Sequence, residues 1–289
     1  MSESLHSLTR RNLLRDAARR GAAAAIAASG IGLLSGTAAG AGSGIARPSR
    51  PSPHAPAAAD DADQYDILLA RVKFASDTSV PDVWNTHPGA ERNLLEALAN
   101  AVRCKVKLPQ GVNCDNPYYG EERHFNAVVD FDGAANVEDY PFLVMTAEGY
   151  FKFTASQKAN LKKYLDGGGF VFMDDCIAGV NTDFFYQSAY KLLEEVHGRG
   201  SVRRVPNEHE VFHNVFDLGK IGLPHISGVN HGAQGIWRGD RLAVILSSTD
   251  VHCGWTDRQH RWYQGGNGRH THEEAIKFGI NMIMYVLSH

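Results

Sequence analysis

The feature that most constrains the fold is an alternation of short apolar runs with segments of helical periodicity. Asp66 to Phe74 is a nearly continuous apolar run, which is typical of a strand covered on both faces. From Ala90 the apolar residues recur at helical spacing, and Pro109 and Gly111 close that unit. Later strands are predicted at Pro141 to Thr146, Phe170 to Met173 and Leu242 to Ser247, with short ones at Asn126 to Phe131 and Ser201 to Val205.

Three further helices are predicted between and after these strands. One begins at Thr154, and Gln157 three positions on completes the spacing of a capping box. Another covers Asp183 to Val196, and the last is capped by Thr271 and Glu274. Strands that alternate with helices predict an α/β fold: a three-layer sandwich with a mostly parallel central sheet and right-handed crossovers.

The amino-terminal region has the form of an export signal. Thr9 to Leu14 reads Thr-Arg-Arg-Asn-Leu-Leu, the pattern of a twin-arginine signal, and Gly21 to Ala39 is an uncharged Ala/Gly-rich stretch. Small residues before position 42 suit a signal peptidase. We therefore expect a periplasmic or extracellular protein that uses the twin-arginine translocase. The predicted segments are a signal peptide at 1–41, a flexible Pro/Ala/Ser linker at 42–64 and a single α/β domain at 65–289.

Composition excludes several classes of function. The chain carries 29 basic and 32 acidic residues and shows no basic stripe, so we expect no nucleic-acid partner. No segment after the signal has the 18 or more apolar residues of a bilayer span, so no stable membrane span is expected after cleavage. The cysteine spacing contains no CxxC pair, which disfavours a zinc knuckle. Whether Cys104 and Cys114 form a disulfide stays open.

Polar residues follow three of the predicted strands. Glu148 lies just after the strand predicted at Pro141 to Thr146. Asp174 and Asp175 follow the strand at Phe170 to Met173, and Asp250 and His252 follow the strand at Leu242 to Ser247. Because the carboxyl ends of parallel strands meet at one edge of a sheet, we expect these side chains to lie together. They form the predicted catalytic set, with the carboxylates as ligands or acid/base groups and His252 as a ligand or proton shuttle. The alternative is that the carboxylates cap local turns.

Histidines supply a second signal, because nine of the fourteen lie between His197 and His272. Imidazole together with carboxylate ligands suits a divalent transition metal such as zinc, iron or manganese. The alternative is that these loop histidines are solvated or bonded to backbone. The predicted metal ligands are Asp174, Asp175, His231, His252, His270 and His272.

His209 to His213 also spells HExxH, the zincin motif, in which two histidines one helical turn apart hold zinc. That motif needs a long helix. Pro206 lies just upstream, and Gly219 and Gly222 lie just downstream, so the sequence favours a short turn here. A zinc metalloprotease is therefore a disfavoured alternative.

Several segments together resemble a known bacterial family. They are Arg71, Trp84 with Pro88, Tyr140 to Thr146, Leu161 to Asp175, His209 to Leu218 and Leu242 to Trp255. From about Asp66 to Leu287 the chain resembles the family known as domain of unknown function 4159. That family is similar in fold to class I glutamine amidotransferases, so the resemblance implies a flavodoxin-like three-layer sandwich.

The residues do not favour amidotransferase chemistry itself. That chemistry needs a cysteine on a sharp strand-to-helix turn, with glycines two positions to either side. Around Cys176 those positions hold Asp174 and Ala178. Carboxylates directly before the thiol also raise its pKa, which disfavours a thiolate nucleophile.

Two functions from different classes follow. We expect an exported hydrolase-like enzyme, metal-assisted, that acts on a small-molecule or glycan ligand at the carboxyl edge of the sheet. The alternative is a non-catalytic envelope module on a degenerate amidotransferase-like fold, which binds a ligand or a partner protein. The fold alone does not choose between them.

Overall fold

The computed structural model describes residues 65–76, 83–87, 89–103, 105–110, 125–133, 137–176, 182–256 and 271–289. The predicted signal peptide and linker, Cys104, Cys114 and His270 lie outside the described residues. Among the helices that are described, none combines the length and the apolarity that crossing a bilayer requires.

Seven strands and four α-helices make up the regular structure of the described residues. The strands are β1 (Leu69–Val72), β2 (Val128–Val129), β3 (Phe142–Ala147), β4 (Phe170–Asp175), β5 (Arg203–Arg204), β6 (Gln234–Arg238) and β7 (Arg241–Ser247). The helices are α1 (Ala90–Val102), α2 (Ala155–Asp166), α3 (Phe184–His197) and α4 (His272–Ser288).

The strands form one mixed sheet in the order β2-β1-β3-β4-β7-β6-β5. The first five strands in that order are parallel, whereas β6 is antiparallel to β7 and β5 is antiparallel to β6. In the register, Ala147 of β3 is paired with Asp175 of β4, and Asp174 is paired with Ser247 of β7. These three neighbouring strands therefore end at almost the same level.

Both faces of the sheet are covered by helices, which is why its strands are apolar at successive positions. On one face, strand residues such as Val144 and Phe172 pack with Leu94 of α1 and Ile280 of α4. On the other face, strand residues such as Met145 pack with α2 and α3. The predicted α/β fold with a mostly parallel sheet is confirmed.

Both predicted capping boxes are present, at Thr154 for α2 and at Thr271 for α4. Two features differ from the prediction. Strand β4 continues through Asp174 and Asp175, so these carboxylates belong to the strand itself and do not follow it. Strand β6, which was not predicted, pairs with β7 through a two-residue turn at 239–240, where Gly239 has a φ of 62°.

The glycine run between α2 and β4 allows a close contact with Tyr164. Gly168 has a φ of 105°, a conformation that glycine adopts without strain. A Cβ on Gly169 would lie 2.2 Å from the Tyr164 ring. The Tyr164 hydroxyl donates to the Tyr140 carbonyl at 2.8 Å and accepts from the Phe170 amide at 3.2 Å. The glycines thus let α2 lie against the start of β4, and this fixes the position of β4.

Candidate functional site

The carboxyl edge of the sheet brings together residues that are distant in the sequence. Because Ala147 and Asp175 are paired, Glu148 and Cys176 leave the sheet side by side, and the Cys176 amide donates to the Ala147 carbonyl at 3.2 Å. The segment after β7 lies next to β4 on its other side, through the pairing of Asp174 with Ser247. This segment carries Asp250, His252 and Cys253.

A compact cluster of metal-binding residue types lies at this edge. One ligand atom each of His87, Cys176 and Cys253 lies within 4.8 Å of the other two. The two Sγ atoms are 3.4 Å apart, and both cysteines are free thiols. Relative exposures are 9 % for His87, 3 % for Cys176 and 4 % for Cys253, so the cluster is buried. Each residue comes from a different segment of the chain.

Carboxylates lie close enough to this cluster to affect both thiols. The hydrogen bond from Cys253 lowers the pKa of Cys176, but burial and the charges of Asp250 and Glu148 outweigh it and raise that pKa. Burial also raises the pKa of Cys253 strongly, and the thiol lies within hydrogen-bonding reach of the Asp250 carboxylate. Both sulfurs are therefore thiols at neutral pH when no cation is bound, which disfavours Cys176 as a thiolate nucleophile. The responsible carboxylates are Asp250 and Glu148, not the predicted Asp174 and Asp175.

Next to the cluster, Arg71 of β1 is fully buried, and its guanidinium forms hydrogen bonds with several groups. Its Nε donates to Glu91 Oε1 at 2.7 Å, and its Nη2 donates to the same oxygen. Its Nη1 donates to the carbonyls of Trp84 at 2.9 Å and Thr86 at 3.1 Å. Its Nη2 also lies 2.7 Å from Nε2 of His252. One guanidinium thus fixes the residues next to His87 and Cys253.

This network sets the ionisation of its members. Because a guanidinium only donates, Nε2 of His252 accepts, and the imidazole is neutral with its proton on Nδ1. Burial and the charge of Arg71 lower the pKa of His252 in agreement with this assignment. Burial alone would raise the pKa of Glu91, but the charge of Arg71 and the hydrogen bonds from its guanidinium lower it to about 2. Glu91 is therefore ionised, and His252 is not.

Asp174 and Asp175 are buried in β4 and accept backbone hydrogen bonds. Asp174 Oδ2 accepts from the amide of His252 at 2.6 Å, and Asp175 Oδ2 accepts from the amide of Tyr186 at 2.9 Å. Burial raises the pKa of Asp174 to about 7 and that of Asp175 to about 8. The structure thus brings the Asp174 carboxylate to the backbone amide of His252, whereas the His252 imidazole faces Arg71.

Of the remaining predicted metal ligands, His231 and His272 are described, and neither belongs to the cluster. His231 Nε2 is 2.8 Å from a carboxylate oxygen of Asp183, and its ring stacks on Tyr186 with centroids 4.5 Å apart. His272 is the first residue of α4. Among the described residues, the group formed by His87, Cys176 and Cys253 is the only one with three or more ligand atoms at metal-binding spacing.

The HExxH segment contains a single 3₁₀ turn, Glu210–Phe212, and no long helix. His209 caps this turn through its Nδ1, which accepts from the Val211 amide at 3.2 Å. His213 Nε2 lies 2.8 Å from the Asn207 carbonyl, and Glu210 is paired with His289 at 3.3 Å. The three side chains of the motif are thus engaged with separate partners.

Sequence reasoning missed His87, Cys253, Arg71 and Glu91. For Arg71 a signal was present, since a charged residue within an apolar strand must find a buried partner. Nothing in the sequence pairs His87 with the two cysteines, which lie 89 and 166 positions further along the chain.

Comparisons with known proteins agree with the family resemblance. The model of a family described as "Domain of unknown function (DUF4159)" matches residues 68–287, which spans nearly all of the α/β domain. A search of curated proteins found no match.

Proposed function

This chain belongs to the family described as domain of unknown function DUF4159, and we propose that it is an exported hydrolase-like enzyme, metal-assisted, which acts on a small-molecule or glycan ligand. The reaction takes place at the carboxyl edge of the sheet, beside β3, β4 and β7. In open α/β sheets this edge is where ligands bind, because variable loops and helix amino termini converge there.

One observation carries the proposal: the register of three neighbouring strands delivers Glu148, Cys176 and the Asp250 segment to one level of the sheet edge. Glu148 is half-buried, whereas Asp250 is 8 % exposed. Asp250 also has a φ of 60°, a backbone conformation that is strained for a residue with a Cβ. Such strain is concentrated at functional sites, where the surrounding structure maintains it.

Two carboxyl groups at one edge provide the proton transfers of hydrolysis. One carboxylate accepts a proton from water as the water oxygen bonds to the electrophilic atom of the substrate. The other group, in its protonated form, returns a proton to the leaving group as the scissile bond breaks. We assign these two roles to Asp250 and Glu148. Asp174, Asp175 and His252 of the predicted catalytic set are buried, and we assign them positioning roles.

Further features support the finer parts of the proposal. The parallel strands follow the order 2-1-3-4-7, which corresponds to the order of flavodoxin-like sheets. This supports a flavodoxin-like fold similar to that of class I glutamine amidotransferases. The twin-arginine pattern at Arg10 and Arg11 supports export, and the translocase would then carry the protein already folded.

The test is a hydrolysis assay on the full chain, with a panel of chromogenic esters, amides and glycosides. Glu148→Gln and Asp250→Asn are each expected to lower turnover by about 100-fold or more, since each removes an acid/base group. Glu138→Gln is the matched control, because Glu138 lies at the surface and pairs with Lys163, and it should retain full turnover. Absence of hydrolysis across the panel, or full turnover in both site variants, would refute the proposed hydrolytic activity at this site.

A different observation favours the binding module as a second candidate. A cavity of about 500 Å³ lies over α2 and α3, lined by Tyr150, Lys158, Gln187, Lys191 and other residues. Tyr150 is 42 % exposed and stacks on Phe184, which is 36 % exposed, with ring centroids 4.9 Å apart. Glu195 also lines the cavity and pairs with Lys158 at 2.7 Å and with Lys191 at 3.9 Å, so the exposed aromatic pair suits the face of a neutral sugar ring. Binding on a glycan array that Tyr150→Ser abolishes, from a protein with no hydrolytic activity, would support this candidate.

A further inference from the structure

We propose that His87, Cys176 and Cys253 form a mononuclear zinc site with an open fourth coordination position. The zinc site itself does not depend on the proposed function. Only the role given to the open coordination position rests on that function. This ligand set differs from the set predicted from the sequence, and it contains no carboxylate.

The spacing of the donor atoms fits zinc. Zinc binds a cysteine sulfur at about 2.3 Å and a histidine nitrogen at about 2.0–2.1 Å, in tetrahedral geometry. Two sulfurs on one zinc are then about 3.8 Å apart, and a sulfur and a nitrogen are about 3.6 Å apart. The observed Sγ–Sγ distance is 3.4 Å, and all three donors lie within 4.8 Å of one another. Shifts of a few tenths of an ångström to about 1 Å would accommodate the ion.

The types of donor select the class of metal. Two thiolates and one imidazole are soft to borderline ligands, which suit zinc and disfavour magnesium, calcium and manganese. Two buried thiols and a buried imidazole from three chain segments are also an unusual arrangement for simple packing. Cysteine behaves as a small apolar residue in a core, whereas this pair lies beside the carboxylate of Asp250.

The backbone around the cluster supplies an independent observation. Three residues other than glycine have a positive φ within the described parts of the chain: His87, Arg103 and Asp250. Arg103 ends α1, a position where the left-handed conformation is common. The other two, at 44° and 60°, are the histidine of the cluster and the carboxylate beside it. Both residues thus hold a backbone conformation that is uncommon outside glycine, and it sets the direction of the chain at the cluster.

The Arg71 network supports the ligands from behind. Arg71 holds the carbonyl of Thr86, the residue before His87, and the imidazole of His252, the residue before Cys253. The amide of His252 is held in turn by Asp174. Outer contacts of this type orient the ligands of metal sites and raise their affinity for the ion. Arg71 and Asp174 are therefore positioning residues for the zinc ligands.

The open position links the site to the proposed function. Three protein ligands with a water in the fourth position are the pattern of catalytic zinc sites, whereas structural sites have four protein ligands. Zinc lowers the pKa of its bound water to near neutrality, and a neighbouring carboxylate can then accept the proton. In this protein Asp250 is that carboxylate.

The test measures metal content and does not require a substrate. The full chain, purified under reducing conditions and given zinc, should retain about one zinc per chain after gel filtration. Cys176→Ser and Cys253→Ser should each lower zinc retention at least 10-fold. His231→Ala is the matched control: His231 belongs to the ligand set predicted from the sequence but lies outside this cluster, so its loss should leave zinc content unchanged.

A second measurement uses the wild-type chain, so it does not depend on whether the variants fold. Cobalt added to the metal-free wild-type chain should produce the sulfur-to-cobalt charge-transfer absorption of thiolate ligation, and zinc should displace it. Failure to bind either metal would overturn the proposal, as would a Cys176–Cys253 disulfide in the exported protein. A zinc-loaded chain without hydrolytic activity would support the zinc site while refuting the proposed enzyme, so the two failures are distinguishable.

Discussion

Arg71 and Glu91 form an ion pair in which both side chains are completely buried. The pair joins β1 to α1, and the same guanidinium reaches the segments on both sides of the cysteine and histidine cluster. Taking two charges out of water is expensive, and their attraction offsets this only when further hydrogen bonds satisfy the remaining donors. Here two backbone carbonyls and one imidazole do so. The pair therefore couples the stability of the domain to the shape of the candidate site.

Replacing Glu91 by Gln should destabilise the protein strongly, because it leaves the Arg71 charge buried without a counter-ion. We expect a loss of about 3–5 kcal/mol in the free energy of unfolding, measured by urea denaturation. Glu96→Gln is the control, since Glu96 forms an exposed pair with Arg92 and should lose only a few tenths of a kcal/mol. A loss of unfolding free energy below about 1 kcal/mol for Glu91→Gln would show that this ion pair does not stabilise the domain as proposed.

The same carboxylate should produce a measurable loss of stability in acid. The pKa of Glu91 falls from its ordinary 4.5 to about 2 in the folded protein. Between these values the unfolded chain binds the proton and the folded chain does not, so stability falls as the pH is lowered through this window. Urea midpoints at pH values from about 5 down to about 3 should therefore drop more steeply for the wild type than for Glu91→Gln. Parallel pH dependence of the two proteins would contradict the lowered pKa.

Replacing Gly169 by Ala should disturb the junction between α2 and β4. The added methyl would lie 2.2 Å from the Tyr164 ring, so the ring must move and its hydrogen bonds to Tyr140 and Phe170 weaken. Overpacking of this kind costs about 1–3 kcal/mol of unfolding free energy, which thermal or urea denaturation will report. Gly133→Ala is the control, because nothing lies within 4 Å of its added methyl, and its effect should stay within about 0.5 kcal/mol.

The sequence was sufficient for most of the fold. Apolar runs such as Phe170 to Met173 and capping boxes such as Thr154 with Gln157 are local signals, and they located the parallel strands and the helices. Strand β6 was missed although Gly239 and Asp240 form a hairpin turn signal, because its residues are only partly apolar. The end of β4 was misplaced because Asp174 and Asp175 are buried carboxylates, and burial cannot be read from residue type alone.

The candidate site was predictable only in its location. The rule that loops after parallel strands meet at one edge predicts that Glu148 and the Asp250 segment lie near each other, and the strand register agrees with this. It could not show that His252 would turn inward to Arg71, or that His87 would reach the two thiols. Those contacts depend on tertiary packing between segments up to 181 positions apart, for which a single sequence carries no signal.

Replacing Arg10 and Arg11 by Lys should stop export and leave the protein in the cytoplasm, since the twin-arginine translocase reads the arginine pair. Cell fractionation with immunoblotting measures the change. The matched control is replacement of Arg19 and Arg20 by Lys, which alters the same number of arginines outside the motif and should leave export intact. Export of the Arg10/Arg11 variant at the wild-type level would remove the argument for a periplasmic or extracellular protein.

Replacing Asp250 by Gly should relieve backbone strain while it removes the proposed acid/base group. Asp250 combines a strained φ of 60° with a nearly buried carboxylate beside two thiols. Glycine relieves the strain, whereas the loss of the hydrogen bond between the carboxylate and Cys253 and the greater freedom of glycine in the unfolded chain oppose that gain. Arg103→Gly changes the backbone in the same way at a φ of 54° without touching the site, so it isolates the backbone contribution. We expect Asp250→Gly to gain about 1 kcal/mol less than Arg103→Gly in urea denaturation, because it also loses the hydrogen bond with Cys253. Because Asp250 is not one of the three proposed zinc ligands, the zinc content should stay unchanged in both variants. Loss of zinc from Asp250→Gly alone would instead indicate that Asp250 is the fourth ligand of a closed, structural site.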